Sequence, residues 1–409
     1  MKILIYTTPA TGHLYPVMGG ALELARRGHR VHVVTLAREV ERVRQAGLEA
    51  SAIDARIQSR ELDDHVGSNP MASVRRAITT FLDRADWELE DLPRAIQSYR
   101  PDVLLVDTNA WGAQAVADAS GLPWATWHPY PLVFPSRDAP PFGPGFAPAA
   151  GVFGRLRDRL VRPLTLRPIE GFLPRVRALR ERAGAVAVTS VMAHLLRPPL
   201  ILTLTAEPFE YPRRDWPANV QLVGPGLWSP PDTSSEVTPH TDRPVLLVTC
   251  STEYQADAAL ARDAVTAFKD DPRFSLVVTT GGVDPAEVPA PPGVVVTRFM
   301  PHRPLLERAA AVICHGGMGI TQRALAAGVP VCAVPWGRDQ LEVARRVDVS
   351  GAGARLPRGR LTPAKLRAAV EVALARRSGA EAMKRAFAQA GGDKRFADLA
   401  EALGRQAPA

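Results

Sequence analysis

The stretch from Ala311 to Asp348, AVICHGGMGITQRALAAGVPVCAVPWGRDQLEVARRVD, leaves few folds open. Ala311-Val312-Ile313-Cys314 is apolar without alternation, the pattern of a strand buried on both faces of a parallel sheet. His315-Gly316-Gly317-Met318-Gly319 follows, a turn rich in the residue that accepts positive φ and lets a ligand approach the backbone. From Ile320 to Ala327 apolar residues recur at helical spacing, so the turn is expected to offer free N–H groups and the positive end of a helix to an anion. A phosphate or diphosphate is the natural guest. Val329 to Pro335 reads as a second buried strand, ending at Trp336-Gly337-Arg338-Asp339-Gln340, polar groups placed to bond whatever that phosphate carries. The turn alone also fits a purely structural link, and Asp339 also fits the N-cap of a helix Gln340 to Val347.

The same alternation runs through the rest of the chain. Lys2 to Tyr6 reads as a strand, the helix after it ends near Arg27 with Gly28 as C-cap, and Val31 to Leu36 is the next strand. The first loop has no G-x-G-x-x-G, and no G-x-x-x-x-G-K-[ST] occurs anywhere. It carries His13 instead, where open parallel sheets place their ligands, although a lone His can equally be structural. A helix starts at Ser68-Asn69-Pro70 and runs to about Ser98. Asp102 to Val106 is a strand, and Asp107 at its end either caps the following helix or orients His13.

Strand Trp124 to Trp127 leads into a Pro/Gly-rich connection from His128 to about Ala150. Its aromatics, Tyr130, Phe134, Phe142 and Phe146, favour an apolar pocket over a floppy linker. Glu207 to Asp242 is rich in proline and turn residues and lacks periodicity, so it reads as the domain linker. Beyond it come strand Pro244 to Thr249, the turn Cys250-Ser251-Thr252-Glu253, helix Asp257 to Phe268, strands Ser275 to Thr279 and Val294 to Arg298, and three helical stretches after Val347. The expected architecture is α/β, two facing doubly wound, Rossmann-like domains, 1–206 and 243–385, with 207–242 between them, 386–409 as a last helix, and the active site in the cleft.

A chain of 409 residues suffices for two such cores. Apolar content of 46% and charged content of 22% exclude a disordered or membrane class, and no apolar run approaches the roughly 20 residues of a span. Met1 to Tyr6 is too brief for a signal peptide, and Cys250, Cys314 and Cys332 show no CxxC spacing. A reducing cytoplasm is therefore the expected compartment, without disulfides or a zinc site. The net charge of +8 raises the question of nucleic acid. All but five of the 50 basic residues are arginine, and nine arginines lie between Arg155 and Arg182 against Asp158, Glu170 and Glu181. Aromatic interleaving is missing there, which leaves a solvated helical face, an anionic acceptor or a membrane-surface contact.

Three separated motifs, the Ala311–Asp348 unit, Gly12-His13 with Pro16 three residues on, and Leu104-Leu105-Val106-Asp107, resemble the glycosyltransferases of the GT-B fold that make natural-product glycosides. That family contains plant UDP-glycosyltransferases and actinobacterial macrolide and polyketide glycosyltransferases. The resemblance covers nearly the full length and implies a last helix crossing back onto the first domain. It implies inverting transfer of a sugar from UDP- or TDP-sugar to a hydroxyl of a small hydrophobic acceptor, with no cofactor and no metal, by a monomer or homodimer.

Residue by residue, the resemblance implies His13 as general base held by Asp107. It implies diphosphate contacts from Ser251, Thr252, His315, Gly316, Gly317, Met318, Gly319 and, because Ile320 replaces the usual Thr or Ser, Thr321. Phe299, Met300 and His302 stand where the family often has Trp-x-Pro-Gln against the base, leaving uracil versus thymine open. Trp336, Asp339 and Gln340 are expected at the sugar, and Tyr130, Phe134 and Phe142 on the acceptor side. An imidazole suits proton removal from a hydroxyl, worth typically 10² to 10⁴ in rate. The rivals are an epimerase of the same fold, which needs carboxylates near sugar C2, and a non-catalytic nucleotide-sugar-binding partner, which needs no base.

Overall fold

The structure, a computed structural model, describes residues 1–64, 67, 70–230, 242–252 and 255–405. In chain order the first half runs β1 (Lys2–Tyr6), α1 (Thr11–Arg26), β2 (Arg30–Thr35), α2 (Ala37–Gln45), β3 (Glu49–Ala52), α3 (Ala55–Ser59), α4 (Pro70–Tyr99), β4 (Val103–Asp107), α5 (Trp111–Ala119), β5 (Trp124–His128), α6 (Gly151–Glu170), α7 (Leu173–Arg182), α8 (Val191–Leu195), β6 (Leu200–Thr203) and β7 (Val220–Leu222). The second runs β8 (Val245–Thr249), α9 (Ala258–Phe268), β9 (Ser275–Thr279), β10 (Val295–Thr297), α10 (His302–Leu306), β11 (Ala309–Cys314), α11 (Met318–Ala326), β12 (Val331–Ala333), α12 (Gln340–Val349), β13 (Gly353–Arg355), α13 (Pro363–Ala375), α14 (Arg377–Gln389) and α15 (Gly392–Arg405).

Two sheets result, ordered β3-β2-β1-β4-β5-β6-β7 and β10-β9-β8-β11-β12-β13, with parallel pairing throughout. Each sheet reverses its winding at one place, β1/β4 in the first and β8/β11 in the second. At such a switch point the loops leaving two adjacent strands diverge to opposite faces and open a crevice. The central strands are buried on both sides, as in VLLVD of β4 and VLLVT of β8, because helices cover both faces.

The chain crosses between domains twice. After α14 packs Ala380, Met383 and Phe387 into the second core, α15 returns to the first, where Phe396, Ala397 and Ala400 join Val17, Met18 and Ala21 of α1. Gly20 makes that seat possible, since a Cβ there would lie 2.3 Å from Phe396 Cδ1. Glycine within a helix costs about 1 kcal/mol against alanine, so the close approach of Phe396 has to offset it. Gly20→Val should therefore lower stability by about 1–3 kcal/mol through overpacking, read from urea unfolding. An unchanged midpoint would mean that α15 contributes nothing to the first domain.

Several expectations need correction. Residues 207–242 are not simply a linker: β7 closes the edge of the first sheet, while Phe209 packs in the second core against Phe387. A three-residue strand among prolines has too few positions to show a period. The same brevity hid β13, and β3, EASA, is too polar to announce itself. The crossing helix begins at Gly392 rather than 386. The expected helix start at Ser68 and Asn69 lies outside the described residues, as do Glu253 and part of the linker.

Candidate active site

β1 and β4 are neighbours, so the loops that follow them face each other across the first switch point. The first turn of α1 carries His13, and Asp107 is the last residue of β4. His13 Nδ1 lies 2.9 and 3.1 Å from the two oxygens of Asp107. The carboxylate is fully buried and also accepts from the backbone N–H groups of Thr8 (3.3 Å) and Asn109 (2.8 Å), which fixes its plane. With Nδ1 donating to the carboxylate, the lone pair of the ring is left on Nε2.

Sequence reasoning missed the group that meets Nε2. Asn109 Nδ2 lies 3.3 Å from it, and the Tyr130 hydroxyl donates to Asn109 Oδ1 at 2.8 Å, so Tyr130 sets which end of the amide faces His13. The Tyr130 ring stands 5.7 Å from that of His13, centre to centre. Only the position of Asn109, two residues beyond Asp107 in the same loop, hinted at this. Beneath lies His128, buried, with Nε2 2.9 Å from Thr108 Oγ1 and its pKa pushed down to about 3 by burial. Phe134, expected on the acceptor side, packs edge-on to His128 in the core below, whereas Phe142 is half-buried in the loop.

In the second domain the loops after β8 and β11 form the other switch point. Gly316 takes φ +83°, and a side chain on Gly317 would strike His315 Nε2 at 2.3 Å, so the ring of His315 lies directly over this turn. His315 is buried, burial lowers its pKa to about 4, and Nδ1 has no protein partner. Gly319 faces open space. Ser251 is buried, with its N–H on Asp257 (2.7 Å) and its hydroxyl accepting from Gln255 (2.9 Å); Thr252 is exposed.

Other expected donor contacts are committed elsewhere. Thr321 is fully buried with its hydroxyl against Cys314 Sγ, a packing role rather than the expected diphosphate contact, because its place on α11 turns it to the sheet. The side chains of Met300 and Met318, residues expected in the base-binding and diphosphate-binding sets, are packed in the core. Gln340 Oε1 accepts from the N–H groups of Trp336 (2.7 Å) and Gly337 (3.1 Å), and its amide donates to Gln255 (2.6 Å). Its side chain therefore shapes the loop. Trp336 packs on the core with Arg358 over its ring, while its buried Nε1 has no protein partner. Phe299 is 58% exposed, free to stack, and His302 is tied to Thr279 Oγ1 at 3.1 Å.

The two halves meet at α12. Arg338, held at φ +53°, pairs with Asp64 of the first domain at 2.8 and 2.9 Å. Asp339 makes no capping bond and is close enough to be influenced by His13; burial raises its pKa while Arg338 and His13 pull it down. One turn on, Glu342 Oε1 accepts from both Gly143 and Gly145 N–H at 2.8 Å, and Arg345 donates to Gly145 O at 2.9 Å. Glu342 Oε2 pairs with Arg346, which also holds Glu210, as does Arg213. Burial pushes the Glu210 carboxyl up, but the two guanidiniums prevail and hold it below its ordinary value. This buried chain of charges docks the 129–150 loop on the second domain.

Two Rossmann-like domains, a His/Asp pair at one switch point and a glycine turn on a helix at the other, define a glycosyltransferase of the GT-B class. Residues 275–401 match the family described as erythromycin biosynthesis protein CIII-like, C-terminal domain. The chain is 32% identical over 389 residues to 4'-demethylrebeccamycin synthase of Lentzea aerocolonigenes, covering 91% of each. It is 26% identical to demethyllactenocin mycarosyltransferase of Streptomyces fradiae, covering 98% of this chain and 86% of that one. The crystal structure of CalG4, the calicheamicin glycosyltransferase, superposes with a TM-score of 0.76 at 26% identity, covering 100% and 99%. The chain belongs to the natural-product glycosyltransferases of the GT-B fold, enzymes of antibiotic-biosynthesis type that transfer sugars to natural-product acceptors.

Proposed function

We propose that the chain is an inverting, metal-independent enzyme that moves a hexose or deoxyhexose from a UDP- or TDP-sugar to a hydroxyl of a hydrophobic natural product. The observation that carries this reading is the bidentate contact of His13 with the buried Asp107, which leaves Nε2 as a base at the mouth of the first switch point. The acceptor O–H gives its proton to Nε2 as the oxygen bonds to the anomeric carbon and the bond from that carbon to the diphosphate oxygen breaks. Asp107 stabilises the imidazolium, and an in-line displacement inverts the centre. Asn109 Nδ2 occupies the approach to Nε2, so the acceptor hydroxyl takes its place there and Asn109 with Tyr130 positions it.

The departing diphosphate takes its stabilisation from the positive end of α11, the turn Gly316 to Gly319, His315 and Ser251. Asp339 accepts from sugar hydroxyls, and Phe299 stacks on the base with His302 beside it. Relatives named as a mycarosyltransferase and a calicheamicin glycosyltransferase support an antibiotic-like acceptor. The test is a screen of UDP- and TDP-sugars against hydroxylated aglycones, read by mass spectrometry, with the anomeric configuration of the product assigned by NMR. The expected result is an inverted glycoside whose formation survives EDTA. A retained anomer, or activity lost in EDTA and restored by Mg²⁺ or Mn²⁺, overturns the mechanism.

A further inference from the structure

The α6 helix presents its apolar side to water. Leu166 and Ile169 pack toward Ile78 and Leu82 of α4, and Asp158 and Pro168 are buried. The outward side carries Phe153 at 88% exposure, Val152 at 68%, Leu160 at 63%, Leu164 at 54% and Leu156 at 51%. At about 100° per residue these five fall in one sector of roughly 120°, a continuous ridge over three turns. A scattered exposed leucine is ordinary; a contiguous ridge of this kind marks a contact surface.

The charges around the ridge have one sign. Arg155, Arg159 and Arg167 are exposed and have no acidic partner among the described residues. Neighbouring arginines are otherwise engaged: Arg157 bonds Asp158 and Ala147 O, and Arg162 bonds Ala139 O. The acidic groups of the helix are used internally, Asp158 by Arg157 and Glu170 by the N–H groups of Val191 and Met192. No described helix is long and apolar enough to cross a membrane, so the geometry suits lying on a surface.

We infer that α6 docks the enzyme on an anionic lipid bilayer. Val152, Phe153, Leu156, Leu160 and Leu164 enter the boundary between headgroups and acyl chains, and the three arginines pair with lipid phosphates. A second copy of the chain suits the surface less, because a two-fold contact would set the unpaired arginines of one α6 near those of the other. A small apolar ligand suits it less again, since the ridge is convex. The same helix anchors the 129–150 loop through Arg157 and Arg162, so the docked face is continuous with the loop that meets the second domain.

The test is co-sedimentation of the full chain with phosphatidylcholine vesicles, with and without phosphatidylglycerol. Binding to the anionic vesicles is expected, weakened by about tenfold or more on neutral vesicles or at high salt. The double variant Phe153→Ser, Leu160→Ser and the triple variant Arg155→Gln, Arg159→Gln, Arg167→Gln should each lose binding by a similar factor with an unchanged melting temperature. Absence of binding to anionic vesicles, or binding by either variant equal to that of the unmodified chain, overturns the inference. A concentration-dependent dimer by light scattering that Phe153→Ser abolishes would also overturn it and assign the face to a second copy.

Discussion

His13→Ala should lower turnover by roughly 10² or more and leave the affinity for a nucleotide-sugar almost intact, because a general base is needed only as the acceptor proton leaves. The geometry makes the prediction sharp. His13 meets Asp107 through both carboxylate oxygens, and Asp107 is itself held by two backbone N–H groups, so the ring has one orientation. Asp107→Asn should move in the same direction less completely, since an amide retains a contact to Nδ1 without fixing the tautomer or balancing an imidazolium. Isothermal calorimetry with donor alongside single-turnover rates separates the possibilities. Lost donor affinity in His13→Ala would make His13 a donor ligand or a structural residue, and wild-type rates in Asp107→Asn would dissolve the pair.

Acid should unfold this protein well above the range in which carboxylates titrate. Burial lowers the pKa of His128 and His194 to about 3 and of His302 and His315 to about 4. As pH falls below about 6.5 the unfolded chain takes up four protons that the native state refuses, so stability present above that pH is lost progressively toward pH 4. Glu88 works the other way: burial pushes its pKa up to about 8, so below that value the native state holds a proton that the unfolded chain has released. The slope should steepen from about 1 kcal/mol per pH unit at pH 6.5, where half of the four protons are taken up, to about 4 near pH 5, where the net difference reaches three protons, measurable from urea midpoints. Asp54, held well below the usual carboxylate range by Arg56, falls outside this window. His194→Gln should flatten the slope by one proton and Glu88→Gln should steepen it. Stability that stays level over this interval would mean that the histidines are protonated in the folded state.

The central strands were legible because burial on both faces leaves an unbroken apolar run, as in ILIY, LLV and VLLV. His13 and Asp107 were legible for a related reason, since Asp107 ends such a run and His13 lies just beyond another, where parallel sheets bind ligands. What distinguishes Gln340 from Asp339 was not legible. Both look like sugar contacts in sequence, but the amide can reach back to two N–H groups of its own loop, whereas the carboxylate of Asp339 makes no capping bond. Asn109 was opaque because its role depends on Tyr130, 21 residues away. Nor does the period of α6 reveal which side faces water: an apolar stripe normally turns inward, and here a large part of it does not.

Glu342 and Arg345 belong to the second domain, yet they hold the backbone of a loop that belongs to the first. Chimeras that splice a donor half from one relative onto an acceptor half from another treat the halves as interchangeable cassettes. In this enzyme the seam runs through the backbone of the 129–150 loop, so a foreign second half without a carboxylate at position 342 would release Gly143 and Gly145. Recombination here has to carry the start of α12 along with the 129–150 loop, because the conformation of that loop is inherited from both parents.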